Sequence, residues 1–110
     1  MIDNPMQVER LLDRLEQGLP FVAGLSPRLA ATMRGAAPGL IIPRECQVTW
    51  VGYAGDEGGI MCRLELGTAG DGEQFVVSLT QLVIRPGAPM AREIGAYQKH
   101  RHKRLRRGQV

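Results

Sequence analysis

The residues of this sequence that are best suited to binding chemistry are the cations of KHRHKRLRR, at positions 99–107. A dense run of Lys and Arg is the kind of cluster that neutralises phosphate groups. Because the run has the character of a helix, its cations would be distributed around the axis and would meet backbone phosphates rather than base edges. The sequence therefore predicts a nucleic-acid-binding set, for RNA or DNA, that consists of Lys99, Arg101, Lys103, Arg104, Arg106 and Arg107.

Two other interpretations of the basic run stay open. The run is also typical of a solvated helix end that contacts nothing. It would equally suit docking on an acidic partner protein, with the chain acting as an adaptor subunit or as a homodimer. Attachment to a membrane is not expected, because Leu105 is the one apolar anchor that the run offers.

The remaining polar residues do not indicate a metal site. His100 and His102 are two positions apart, which on a helix separates them by about 200°, so that they cannot bind one ion together. Two glycine-rich loops carry pairs of acids, but neither has the spacing of a calcium-binding loop, and acids are ordinary residues of tight turns. These loop acids are Asp56, Glu57, Asp71 and Glu73.

Catalytic and cofactor motifs are also missing. The glycines of GYAGDEGG (52–59) do not form a dinucleotide fingerprint, because a strand and not a helix follows them. This strand–GG–strand segment superficially resembles the cyclic-dinucleotide-binding PilZ domains, but it lacks their Asp-x-Ser-x-x-Gly element and the chain is not assigned to that family. The histidines, which are the usual general bases, lie only in the basic run. We therefore predict a non-enzymatic protein with no catalytic residue, metal or cofactor.

Cys46 and Cys62 are predicted to be buried free thiols. Both lie on the apolar phase of a predicted strand. A hairpin turning at 55–59 would place them several residues apart along the ladder, too far for a disulfide. Trp50 shares the phase of Val48 and is predicted to be a core residue.

Charge divides the chain into a body and an extension. Residues 1–98 carry eight Lys and Arg against eleven Asp and Glu, a net charge of −3, whereas residues 99–110 carry six cations and no acid. A chain of 110 residues is suited to one hydrophobic core. We predict a single α+β domain over 1–98 and a basic helical extension over 99–110. No secretory signal is apparent at the N-terminus, so a cytoplasmic location is expected.

The elements that would hold the basic run follow from capping signals and periodicity. Asn4 with Pro5, and Ser26 with Pro27, predict the starts of two N-terminal helices; Gly35 is expected just past the end of the second. Alternation predicts strands over 46–51, 60–66 and 75–84, the last with a bend near Thr80. These strands predict a three- to four-stranded antiparallel meander, SH3-like or a small open barrel, followed by a basic C-terminal helix.

Overall fold

The described part of the chain folds into three α-helices and five strands. The computed structural model describes residues 3–39, 41–66 and 75–108. Residues 107 and 108 are described by their backbone alone. The helices are α1 (Pro5–Gln17), α2 (Pro27–Ala36) and α3 (Ala91–Gly108). The strands are β1 (Phe21–Leu25), β2 (Glu45–Tyr53), β3 (Ile60–Glu65), β4 (Phe75–Ser78) and β5 (Leu82–Val83). The predicted α+β class and the predicted helices are confirmed.

The two N-terminal helices begin where their capping residues predict. The Asn4 side chain accepts hydrogen bonds from the backbone amides of Met6 (3.0 Å) and Gln7 (3.2 Å). The Ser26 hydroxyl accepts one from the amide of Leu29 (3.2 Å). These bonds satisfy backbone donors that the first helical turn leaves without partners. The second helix ends later than expected, because it includes Gly35.

The sheet has more strands than the sequence predicts. The expected meander is present as β2–β3–β4, and two further strands extend it, so that the order is β4-β3-β2-β1-β5 with every pair antiparallel. The predicted third strand is in fact divided by a 3₁₀ turn at Leu79–Gln81 into β4 and β5, which lie at opposite edges of the sheet. Only three residues join these edges, so the sheet must curl into a half-barrel. The glycine-rich loop that carries Asp71 and Glu73 lies outside the described residues.

The prediction that Trp50 belongs to the core is wrong. The register of β2 against β3 shifts between Val48 and Trp50, which marks a β-bulge. The shift reverses the phase of the strand, so that Val51 is buried and Trp50 lies on the outer face with 43% of its surface exposed. Strict alternation cannot foresee this, because a bulge adds one residue to only one of the two paired strands.

One hydrophobic core fills the concave side of the sheet, where α1, α2 and α3 cover it. Its most deeply buried large side chains are Leu15, Met33, Val48, Ile60, Leu64, Leu79, Ile94 and Tyr97. Cys46 and Cys62 belong to the same core and are free thiols, as predicted. Burial raises the pKa of Cys46 to about 11 and that of Cys62 to about 12.

Both thiols are therefore expected to react with iodoacetamide only after unfolding. At a pH near 8 the folded protein holds both groups as unreactive thiols, whereas denaturant exposes them with an ordinary pKa of about 9. The raised values also predict that the free energy of unfolding falls as the pH rises above about 9, since only the unfolded chain then loses these protons. Mass spectrometry of labelled native and denatured protein is the check; rapid double labelling of native protein would contradict the burial.

Candidate functional site

The rotation of α3 is fixed by its contacts with the sheet. Ile94 and Tyr97 are buried in the core. The side-chain amide of Gln98 donates hydrogen bonds to the carbonyl oxygens of Leu79 and Leu82, both at 2.9 Å. Together these contacts decide which face of the helix packs inward and which faces outward.

A buried ion pair extends this attachment beyond position 98. The Arg101 guanidinium donates from Nη1 to Asp3 Oδ2 (2.8 Å) and from Nη2 to the Asp56 carbonyl oxygen (2.6 Å). Arg101 has only 2% of its surface exposed, and its partner Asp3 is buried as well. Arg101, which the sequence places in the binding set, is thus turned into the body, while α3 runs unbroken through the expected boundary between 98 and 99.

Polar groups around this ion pair complete a cluster at the β2–β3 turn. The Tyr53 hydroxyl donates to Asp3 Oδ2 (3.0 Å), and the Tyr97 hydroxyl accepts from the amide of Ile60 (2.9 Å). Burial is the main cause that raises the pKa of Tyr53 to about 12, and it raises that of Tyr97 too, so both keep their protons at neutral pH. Gly59 has a φ of +68° and a Cβ there would lie 2.9 Å from Arg101 Nη1, so the approach of α3 requires glycine.

The opposite face of α3 carries the exposed cations. Lys99, His102, Lys103 and Arg106 line one shallow depression on the helix, which we call the basic strip. At 100° per residue these four positions fall within an arc of about 100°, centred roughly opposite the arc of Tyr97 and Arg101. The three cations of the strip are all exposed.

Arg104 and Arg107 are the two remaining residues of the predicted set. Arg104 is exposed but lies about 140° around the helix from Lys99. The backbone of Arg107 continues α3, and its side chain is outside the described part of the chain. The structure thus brings Lys99, Lys103 and Arg106 together and separates Arg101 and Arg104 from them.

The segment that carries the strip contains no acidic residue. Residues 99–110 contain no Asp or Glu, and the Asp3 carboxylate and the Asp56 carbonyl oxygen are bound by Arg101 on the other side of α3. Within 3–39, 41–66 and 75–108 no three His, Cys, Asp or Glu side chains form a group that could hold a metal ion. In the same residues no helix combines the length and apolar character needed to cross a bilayer.

Comparisons of the chain with protein-family models, curated proteins and solved structures return no match.

Proposed function

We propose that this chain is a non-enzymatic module that binds nucleic acid through the basic strip. The observation that carries the proposal is the collection of Lys99, Lys103 and Arg106 on one exposed face of a helix whose other face is fixed to the body. A rigid helix holds its cations in place before binding, so less conformational freedom is lost on association than for a flexible tail. Arg101 is not part of the proposed interface, because its charge is already paired with Asp3.

The spacing of the strip favours a polymer with regularly repeated anions. Along α3, Lys99 and Lys103 are separated by a rise of about 6 Å, and Lys99 and Arg106 by about 10 Å. Successive cations in one row can therefore contact successive phosphates of one strand. Such contacts fix position and supply affinity but carry little sequence information, so we propose binding with little discrimination among sequences.

The composition of the strip argues for a polyanion over a folded acidic protein. Protein interfaces usually depend on buried aromatic or aliphatic anchors surrounded by a polar rim. The strip has no such anchor, since its lining side chains are Lys, His, Lys and Arg. The same absence argues against a membrane surface, where an apolar face must enter the lipid. The curl of the sheet is compatible with a small open, SH3-like barrel, although a fold of that kind does not determine function.

The test is a titration of the purified chain against labelled single-stranded RNA and labelled duplex DNA at about 150 mM salt. Saturable binding to either, followed by fluorescence anisotropy, is the expected result. Retention on heparin is not sufficient, since most basic segments are retained there. No measurable binding to either nucleic acid would contradict the proposal and would favour the adaptor interpretation, in which the strip docks on an acidic protein.

A further inference from the structure

Trp50 forms an exposed aromatic surface on the outer face of the sheet. The bulge before it turns its side chain outward, where 43% of its surface is exposed. The six-membered ring of its indole covers Gly52, two positions along β2: a Cβ at Gly52 would lie only 2.6 Å from Trp50 Cζ2. Glycine at position 52 is thus what allows the ring to rest against the strand and leaves part of the indole open to solvent.

The register of the sheet places a cation beside Trp50 on this face and an aliphatic side chain beyond that cation. In the register of the sheet, Trp50 is opposite Arg63 on β3, and Arg63 is opposite Val76 on β4. The Arg63 Nε donates a long hydrogen bond to Thr49 Oγ1 (3.4 Å), which is consistent with a guanidinium held close to β2. An aromatic ring beside an arginine offers both a stacking surface for a base and a positive charge for its phosphate.

Trp50 and the end of α3 lie at the same end of the sheet. The ring of Trp50 reaches toward the β2–β3 turn by covering Gly52, and Arg101 binds the carbonyl oxygen of Asp56 in that turn. Beyond Arg101, α3 continues to Gly108, a further rise of about 10 Å. The C-terminal part of α3, which carries the strip, and the ring of Trp50 are therefore both near the β2–β3 turn, which also carries Asp56 and Glu57.

We propose that Trp50 is a stacking platform for an unpaired base, so that the ligand of this protein is single-stranded nucleic acid. This inference rests on the proposed function of the basic strip. Bases in a duplex are stacked on both faces and cannot offer a face to Trp50, whereas an unpaired base can. Stacking on an aromatic side chain tolerates every base, which agrees with phosphate contacts that do not read sequence.

The chain contains a single tryptophan, so its fluorescence reports directly on this contact. The native protein is titrated with an oligouridylate of about twelve nucleotides and with an RNA duplex of about the same length. We expect saturable quenching of the Trp50 emission by the oligouridylate, and unchanged emission when the duplex binds. The variant Trp50→Leu should bind the oligouridylate about tenfold more weakly and the duplex as tightly as native protein does.

Two variants separate stacking from a general change of this face. Trp50→Phe keeps an aromatic ring and should recover part of the lost affinity. Val83→Ala alters an exposed apolar residue on β5, at the far edge of the sheet, and should leave both affinities unchanged. A thermal melt of each variant verifies that it is folded.

The outcomes distinguish this inference from the function on which it rests. The oligouridylate could bind in a salt-dependent way without changing the Trp50 emission, and the Trp50→Leu variant could bind it as tightly as native protein does. In that case the platform proposal is wrong and the strip proposal stands. If neither nucleic acid binds, both fail. Trp50 emission that changes with protein concentration in the absence of RNA would instead show that a second copy covers the ring, and it would overturn the platform.

Discussion

Replacing Arg101 by Gln is expected to lower the free energy of unfolding by about 3–5 kcal/mol, although the residue lies in the most basic part of the chain. The substitution leaves the Asp3 carboxylate buried without its cation, and it also removes the hydrogen bond to the Asp56 carbonyl oxygen. Asp3 Oδ1 accepts no hydrogen bond from the described residues, and the Tyr53 hydroxyl that stays bound at Oδ2 is neutral and cannot replace the lost positive charge. The change is measured by urea unfolding, provided that the free energy of unfolding falls with urea concentration at the same slope in the variant and the native protein.

The matched control is Lys103→Gln, which removes one positive charge from an exposed site two positions after Arg101. It should change the free energy of unfolding by no more than about 0.5 kcal/mol. The double variant Asp3→Asn/Arg101→Gln should be less destabilised than the two single losses combined, since each partner is harmful mainly when it is left alone. An Arg101→Gln midpoint equal to that of native protein would mean that the ion pair is not formed in solution.

This prediction reverses what charge patterning suggests for residues beyond 98. By net charge, position 101 belongs to a solvated extension. Arg101 falls, however, on the same helical arc as Ile94, Tyr97 and Leu105, and the first two of these are buried. A cation on an apolar arc is a signal that it is buried with a partner. The identity of that partner could not be read from the sequence, because Asp3 lies 98 positions away and only the fold brings the two together.

Local signals predicted the helices well and the sheet less well. Caps at Asn4 and Ser26 act within one turn, so the sequence alone determines where α1 and α2 begin. The sequence does not indicate β1, because Phe21–Leu25 is short and contains a glycine, and its extended state depends on pairing with β2 on one side and β5 on the other. The exposed position of Trp50 cannot be read from the sequence for a related reason, since the bulge that causes it depends on the register against β3.

For the candidate site, the sequence identified the segment but not the face. Six cations in a helical run were visible from composition. Which of them share a face toward solvent depends on how α3 is rotated, and that is set by Tyr97, Gln98 and Arg101 packing against distant strands and turns. The structure thus narrows a run of cations to the strip formed by Lys99, Lys103 and Arg106 with His102.

Replacing Lys99, Lys103 and Arg106 together by Gln is expected to weaken binding to single-stranded RNA by roughly 50-fold at physiological salt. The factor follows from losing three phosphate contacts, each of which releases about 0.7 of a counterion from a single strand. The fold should be retained, because all three side chains are exposed. Fluorescence anisotropy with labelled RNA gives the affinity, and circular dichroism verifies that α3 is intact.

A second triple variant controls for net charge. Arg10, Arg28 and Arg34 are exposed arginines of the two N-terminal helices, and their replacement by Gln makes the same change of three charges away from the strip. If the strip is the interface, this control should lose only a few-fold in affinity through the long-range field. Equal losses in the two triple variants would show that net charge, and not the strip, determines binding.

The most direct test of the strip as a nucleic-acid interface is the slope of log affinity against log salt concentration for the native protein and for the Lys99→Gln/Lys103→Gln/Arg106→Gln variant. The slope counts the phosphates that the protein neutralises, independently of any other contribution to affinity. We predict that the variant's slope for single-stranded RNA is shallower than the native slope by about 2, the value for three lost contacts. Native and variant slopes that coincide would contradict the account, because the phosphates would then be neutralised elsewhere on the protein.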